Sequence, residues 1–247
     1  MKRFFSMIAI LFAMNIAMFA QDDVAPPTEI TDTLAEEDIP DVSEQRKVTE
    51  FMGIPIDGTK REMIKQLKKK GFKRSNIEPE ALKGEFNGQE VYVYIHTNKD
   101  KKVWRIALTD VVATNEGNIK ILFNNLCRLF NSNSKYFPHS EIENYIIPAD
   151  ESIYYNMSIQ GKRYDAVFCQ CFDANPVLLR FMLQQKKDVE SMTEEETDEW
   201  YLMFKKYIAY RAYNRVGFTM DKEDYKHKYR IVLYYENGYN QDFGKDL

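Results

Sequence analysis

Strict alternation of apolar and polar residues follows a tight-turn signal in the stretch GEFNGQEVYVYI, Gly84 to Ile95. Asn87-Gly88 lies between two extended runs, which is the strongest short-range signal for a β-hairpin. A polar turn at Asn98 to Lys102 is followed by a second extended run from Val103 to Leu108. The pattern therefore predicts an antiparallel meander rather than parallel strands joined by crossover helices.

Helical periodicity marks other segments of the chain. TKREMIKQLKKKG opens with a capping box at Thr59 and closes with a glycine. Thr193 and Glu196 form a second capping box at the start of a longer helix, and Pro176 can open a short one before it. In NIKILFNNLCRLF the apolar residues share one helical face: Ile119, Leu122, Phe123, Leu126 and Phe130.

Further strands are predicted in the second half of the chain. YYNMSIQGKRYDAVFCQCF indicates a second hairpin around Gln160-Gly161-Lys162, and the last strands lie at Val216–Met220 and Tyr229–Tyr235. GEFNGQEVYVYI and MSIQGKRYDAVF align loosely around their turn glycines, which suggests two related halves, 48–140 and 141–247. The predicted class is α+β, an antiparallel sheet with helices packed on one face.

An antiparallel sheet can bury one face and leave the other in water. The alternation assigns one set to the buried face: Val91, Val93, Ile95, Trp104, Ile106, Leu108, Ile231, Leu233 and Tyr235. The opposite parity holds the candidate binding residues: Tyr92, Tyr94, His96, Arg105, Arg230 and Tyr234. Tyrosine and arginine dominate binding hot spots, so this face is a candidate recognition surface. The alternative is that the aromatic residues only stabilise cross-strand pairs.

The chain begins MKRFFSMIAILFAMNIAMFA, a basic end followed by an apolar run and a small residue, Ala20. This is the layout of a secretory signal peptide, predicted for residues 1–20, with an uncleaved membrane anchor as the alternative. We therefore expect an exported protein, periplasmic or extracellular, that is not embedded in a membrane after cleavage. Residues 21–47 are rich in acids and lack aromatics, which predicts a disordered tether before the α+β domain, 48–247.

Charge argues against nucleic acid as a partner. The formal net charge is −4, and removing Lys2 and Arg3 with the signal peptide makes it −4 − 2 = −6. A net acidic, exported chain is a poor candidate for binding a polyanion. The basic stretch from Thr59 to Arg74 is interpreted as the solvated side of a helix, with an acidic-partner site as the alternative.

The sequence contains three cysteines. Cys169 and Cys171 are two apart in a strand-like run, so they point the same way but are too close in sequence to bridge comfortably. Either could pair with Cys127 in an oxidising compartment, and buried reduced thiols are the alternative. The histidines are far apart and none lies at ligand spacing to a cysteine, so neither a metal nor a cofactor is predicted: His96, His139 and His227.

The enzymatic motifs that a sequence can reveal are missing from this one: the nucleophile elbow, the zinc-protease helix, the P-loop and the dinucleotide glycine pattern. The candidate acids Asp110, Asp165 and Asp173 are better explained as turn or strand-end residues. The sequence thus favours a non-catalytic protein that binds a protein or cell-envelope component through its sheet face. A small secreted hydrolase acting on envelope or dietary polymers is the alternative.

Four stretches together resemble a group of exported proteins of anaerobic gut bacteria: FMGIPIDGTKREMIKQLKKKGF, LKGEFNGQEVYVYI, IKILFNNLCRLF and YRIVLYYENGYNQ. The resemblance covers most of 51–247 and implies export and an α+β fold, without an assigned activity. The helix-then-strands unit is also similar to the β-lactamase-inhibitor-like and small outer-membrane lipoprotein folds, non-catalytic binding modules that use a sheet face or edge. The chain lacks the lipid-bearing cysteine of those lipoproteins, and a shared architecture does not confer a function.

Overall fold

The computed structural model describes residues 47–172, 193–223 and 227–242. Contacts divide the chain into two units, Met1–Gln45 and Arg46–Leu247, and all described residues belong to the second. The predicted signal peptide, nearly all of the predicted tether and the short helix expected from Pro176 lie outside the described residues, so these three stay predictions.

The described residues form a large antiparallel sheet of eight strands beside a two-stranded one. The small sheet pairs β1 (Glu50–Phe51) with β2 (Ile54–Pro55). The strands of the large sheet are β3 (Lys73–Arg74), β4 (Leu82–Phe86), β5 (Gln89–Thr97), β6 (Val103–Asp110), β7 (Tyr136–Pro138), β8 (Asp165–Gln170), β9 (Arg215–Glu223) and β10 (Lys228–Glu236). Their spatial order is β3-β4-β5-β6-β10-β9-β8-β7, and every neighbouring pair is antiparallel.

The helices are α1 (Lys60–Lys69), α2 (Glu116–Ser132), α3 (Ile153–Ser158) and α4 (Glu194–Tyr213), with 3-10 turns at Ile142–Tyr145 and Gly238–Asn240. The predicted capping box of α1 is present, because Thr59 N donates to Glu62 Oε2 and Glu62 N donates to Thr59 Oγ1. α4 begins directly after the predicted cap Thr193. None of the helices in the described part of the chain combines the length and apolar character that a membrane span needs.

The core lies between the large sheet and the helices α1 and α2. Phe123 and Phe130 of α2 pack against Phe218 and Phe168 of the sheet, with ring centroids 5.0 and 5.1 Å apart. The sheet face that these helices cover is called the inner face below, and the opposite one the outer face. The predicted inner-face residues are buried, apart from Trp104: Val91, Val93, Ile95, Ile106, Leu108, Ile231, Leu233 and Tyr235. The predicted α+β class with an antiparallel sheet is confirmed.

Trp104 was predicted on the buried face, and that prediction is wrong. The register pairs His96 with Arg105 and then Thr97 with Val103, so a β-bulge leaves Trp104 without a partner in the ladder. Val103 takes the buried position instead and is fully buried. A bulge inserts one extra residue and so reverses which face the residues beyond it occupy, which strict alternation cannot anticipate.

The predicted hairpin around Gln160-Gly161-Lys162 is also wrong. The segment before it forms helix α3, and β8 pairs with β7 and β9. Ser152 caps α3 by accepting a hydrogen bond from Tyr155 N. Glu151 then holds the connection from α3 to β8, because its Oε1 accepts hydrogen bonds from three side chains of that segment: Asn156, Lys162 and Tyr164.

The strand order nevertheless repeats. α1 precedes the run β3-β4-β5-β6, α2 precedes the run β7-β8-β9-β10, and the two runs meet where β6 pairs with β10. Each run contains four strands in antiparallel order. The strands of the first run follow one another directly along the chain, whereas α3 and α4 interrupt the second run. Whether the halves are related in sequence, and whether they divide at 140, stays a prediction.

Gly217 offers a test of how the sheet is packed. A Cβ atom at this position would lie 2.5 Å from Tyr234 Oη and 2.7 Å from the carbonyl oxygen of Ala166. Gly217→Ala should therefore lower the free energy of unfolding by about 1–3 kcal/mol, because backbone as well as side chain must move. Gly117→Ala, whose Cβ would meet only Asn115 Oδ1 at 3.6 Å near the start of α2, should be neutral or slightly stabilising. Urea denaturation of both variants measures the difference, and equal stabilities would contradict the packing.

Candidate functional site

The outer face carries all six candidate binding residues. The ladder places His96 opposite Arg105, and Tyr94 and Tyr234 on either side of Ala107. Tyr92 and Arg230 follow from the same alternation on β5 and β10. Because side chains alternate across a strand, these positions share the side away from α1 and α2.

Two elements border the outer face. Near β5, Glu78 belongs to the loop between β3 and β4, and burial together with the charge of Glu78 raises the pKa of the Tyr94 phenol. Near β7, helix α4 packs across the face through Tyr207, whose ring lies 4.9 Å from that of Phe137. Between these borders the outer face also carries short side chains, which lie among the candidate binding residues: Ala107, Thr109, Val167, Gly217, Thr219 and Val232.

Arg105 lies at the centre of a group of side chains on this face that contact one another. Its guanidinium carbon is 4.6 Å from the ring centroid of Trp104 and 5.3 Å from that of Tyr234. Arg105 Nε donates to Glu236 Oε1 at 2.7 Å, and Nη2 donates to the same oxygen. Two aromatic faces and a carboxylate therefore hold the guanidinium in place, an arrangement that combines cation–π and charge-assisted contacts.

Glu236 is buried, with 2% of its side chain exposed, although it is the acidic member of this group. Arg215 Nε lies 3.6 Å from its second oxygen, Oε2. Two arginines thus share one carboxylate, and the group has one net positive charge. We call Trp104, Arg105, Arg215, Tyr234 and Glu236 the Arg105 cluster.

Sequence reasoning found two members of this cluster and missed three. Trp104 was assigned to the wrong face because of the bulge. Glu236 carried a usable signal, since it is the one acid in YRIVLYYE and has the parity of Tyr234. Arg215 lies one residue before the predicted strand and had no such signal. The link between them was invisible, because Arg105 and Glu236 are 131 residues apart in the chain.

The other predicted residues have different surroundings. Tyr92 is only 8% exposed, so it packs rather than presenting itself to a partner. Arg230 pairs with Glu223 at 2.6 Å, near the opposite end of β10 from Glu236 and about 20 Å away along the strand. His96 is exposed beside Trp104, with ring centroids 6.4 Å apart. Partial loss of water around the ring and the nearby charge of Arg105 lower the pKa of His96.

His139 follows β7 and lies close to the Arg105 cluster. Its main-chain N–H donates to the carbonyl of Val167, and its Nε2 is buried without a hydrogen-bond partner among the described residues. Burial, then the charges of Arg211 and Arg215, lower the pKa of His139 to about 3. The ring is therefore neutral at physiological pH.

Comparison of the chain with protein-family models, with curated proteins and with solved structures found no match. The resemblance to exported proteins of gut anaerobes stays a prediction.

A double-mutant cycle tests the central ion pair. Arg105→Ala leaves a buried carboxylate whose remaining cation, Arg215, is 3.6 Å away, so it should destabilise the protein by about 2–3 kcal/mol. Adding Glu236→Gln removes the unpaired charge and should restore at least about 1 kcal/mol. Arg230→Ala is the matched control on the same face, because its pair with Glu223 is partly exposed and should be worth under about 1 kcal/mol. Strict additivity of the two Arg105 and Glu236 substitutions in urea denaturation would contradict the coupling.

The pKa of His139 predicts a pH dependence of stability. The folded pKa of about 3 lies below the unfolded value of about 6.5, so the unfolded chain takes up the proton first. Stability should therefore fall as the pH decreases from about 6.5 towards 3. Between pH 7 and pH 4, His139→Gln should lose less unfolding free energy than the wild type, by about 3 kcal/mol. His227→Gln replaces an exposed histidine, and this control should lose as much as the wild type.

Proposed function

We propose that this protein is exported and binds a protein or cell-envelope component, without catalysing a reaction, through the outer face of its sheet. The observation that carries the proposal is the Arg105 cluster. It presents a fixed guanidinium between two aromatic rings, and 36% of the Arg105 side chain is exposed. Tryptophan, tyrosine and arginine are the side chains that contribute most to binding hot spots.

The cluster is poorly explained as a device for stability. Burying an ion pair such as Arg105 and Glu236 is often neutral or unfavourable compared with apolar residues of the same volume. The bulge turns Trp104 out of the core, which leaves a large aromatic ring partly in water. Natural proteins depart from these packing rules mainly at functional sites. Here two departures, the buried ion pair and the partly exposed Trp104, occur at one place.

The charge of the cluster indicates the chemistry of the partner. Two arginines share the single carboxylate of Glu236, so a positive charge is left over next to the rings of Trp104 and Tyr234. A partner that presents a carboxylate or another anionic group beside an apolar surface complements this arrangement. The charge pair would fix its orientation, and the aromatic rings would supply the buried area.

The interpretation that the tyrosines only pack is retained for one position. Tyr92 is buried and has the surroundings expected of a cross-strand packing residue. Trp104 and Arg105 differ, because both are partly exposed and neither contributes its aromatic or charged end to the inner face. The binding surface proposed here is therefore smaller than the set of six residues predicted from alternation.

Affinity capture tests the surface. The chain from Gln21 onward, immobilised and exposed to envelope extract, should retain a defined partner that the double variant Tyr94→Ala, Trp104→Ala captures at least about 10-fold less. The matched control is Tyr155→Ala with Arg128→Ala, which removes an exposed tyrosine and an exposed arginine from α3 and α2. This control should capture as the wild type does. Raising the ionic strength should weaken the specific capture, because the contact is charged.

Equal capture by the wild type and the Tyr94, Trp104 variant would reject the outer face as the binding surface.

Export is tested by a separate experiment. Fractionation of the producing cell should recover the chain outside the cytoplasm with residues 1–20 removed, and an uncut cytoplasmic chain would reject that part of the proposal.

A further inference from the structure

Cys169 and Cys171 bring their thiols together at the end of β8. The two sulfur atoms are 3.8 Å apart, and both residues are buried. The third cysteine, Cys127, lies on α2, where its thiol contacts the carbonyl of Tyr145. Cys169 is the cross-strand partner of Arg215, a member of the Arg105 cluster, but the proposed binding function makes no use of the two thiols.

The geometry suits a bridging ion better than a direct sulfur–sulfur bond. Residues two apart in a strand have Cα atoms about 6.7 Å apart, at the upper limit for a disulfide of about 6.8 Å. Metal–thiolate bonds are about 2.3 Å long, so two sulfurs that share one ion lie about 3.8 Å apart at a tetrahedral angle and about 4.6 Å apart when the bonds are in line. The observed separation equals the tetrahedral value, so an ion held in line by these two sulfurs would require them to move apart by about 0.8 Å.

The pair lies beside aromatic side chains and two arginines. Arg215 is the cross-strand partner of Cys169 and also lies 3.6 Å from Glu236, and Arg211 is the second. Phe137 is the cross-strand neighbour of Cys169, and Tyr207 packs on Phe137. Arg211 donates to the hydroxyl of Tyr207 at 3.2 Å and to the carbonyl of His139 at 3.0 Å, and both acceptors are neutral. The positive charge of Arg211 is therefore available to balance a negative charge formed at the sulfurs.

We propose that Cys169 and Cys171 bind one soft, thiophilic metal ion of the Cu(I) class. Binding forms two metal–sulfur bonds and releases two thiol protons to solvent, which gives a bis-thiolate complex of charge −1 that Arg211 balances. Soft thiolate ligands select such ions. Among the described residues no group of three or more histidine, cysteine or carboxylate side chains is placed to hold a metal, so the pair supplies two protein ligands to an ion that is stable with two.

Anaerobic titration of the reduced, full chain with Cu(I), in competition with a chromogenic Cu(I) chelator, tests the proposal. The wild type should withhold one equivalent of copper from the chelator. Cys169→Ser and Cys171→Ser should each lower the affinity by more than the roughly 100-fold that loss of an outer-shell partner can cause. Cys127→Ser is the matched control, a buried single thiol, and should withhold copper as the wild type does. Arg211→Gln keeps both sulfurs and should lower the affinity by about 10-fold.

X-ray absorption at the copper edge on the wild-type adduct gives an answer even where a serine variant fails to fold. Two sulfur neighbours on a single copper ion support the site, and nitrogen or oxygen neighbours overturn it. Copper withheld equally by the wild type and a folded Cys169→Ser variant overturns it too. So does a sample isolated without added reductant in which Cys169 and Cys171 are joined as a disulfide, shown by a mass lower by two hydrogens.

Discussion

The pairing of β6 with β10 is the contact on which the arrangement of the molecule depends. It is the only ladder that joins the run β3-β4-β5-β6 to the run β10-β9-β8-β7 in the described large sheet. Its register sets Tyr234 beside Ala107 and Glu236 beside Arg105. A one-residue slip would exchange the faces of a whole strand, so the buried set, Ile231, Leu233 and Tyr235, fixes the register of the polar set. The inner core thus determines which residues meet on the outer face.

Local patterns predicted the elements of the fold well where the alternation is regular and its partners are near in sequence. The hairpin at Asn87-Gly88, the capping box of α1 and the apolar face of α2 all appear in the structure. The failures have local causes as well. A bulge moved Trp104, and the side chains of Ser152 and Glu151 stabilise a helix and its connection where a glycine suggested a hairpin. Hydrogen bonds from polar side chains to the nearby backbone compete with strand ladders. The alternation of apolar and polar residues does not predict these hydrogen bonds.

The candidate site was harder to predict than the fold because its contacts are non-local. Alternation predicts that Arg105 and Tyr234 share one face of the sheet. It does not predict that they are neighbours, because the sequence of a strand does not specify which strands pair with it. Glu236 illustrates the limit. A buried carboxylate needs a nearby cation. The sequence contains many arginines, and no local pattern indicates that Arg105 and Arg215 are the two that lie beside Glu236. The predicted pair of neighbouring thiols is different, because two positions on one strand need no tertiary information.

The position of β10 at the end of the chain bears on how the molecule assembles. Strands β3 to β6 pair with immediate neighbours in sequence, so they can form as soon as they are synthesised. The last of these strands, β6, also pairs with β10, which begins 118 residues after β6 ends (228 − 110 = 118). Until then its amide and carbonyl groups form an open edge able to pair with another chain. Closing such a long loop is slow compared with forming a hairpin. The period before closure, rather than the finished sheet, is therefore when aggregation is most dangerous to this protein, and a chaperone would be of most use then.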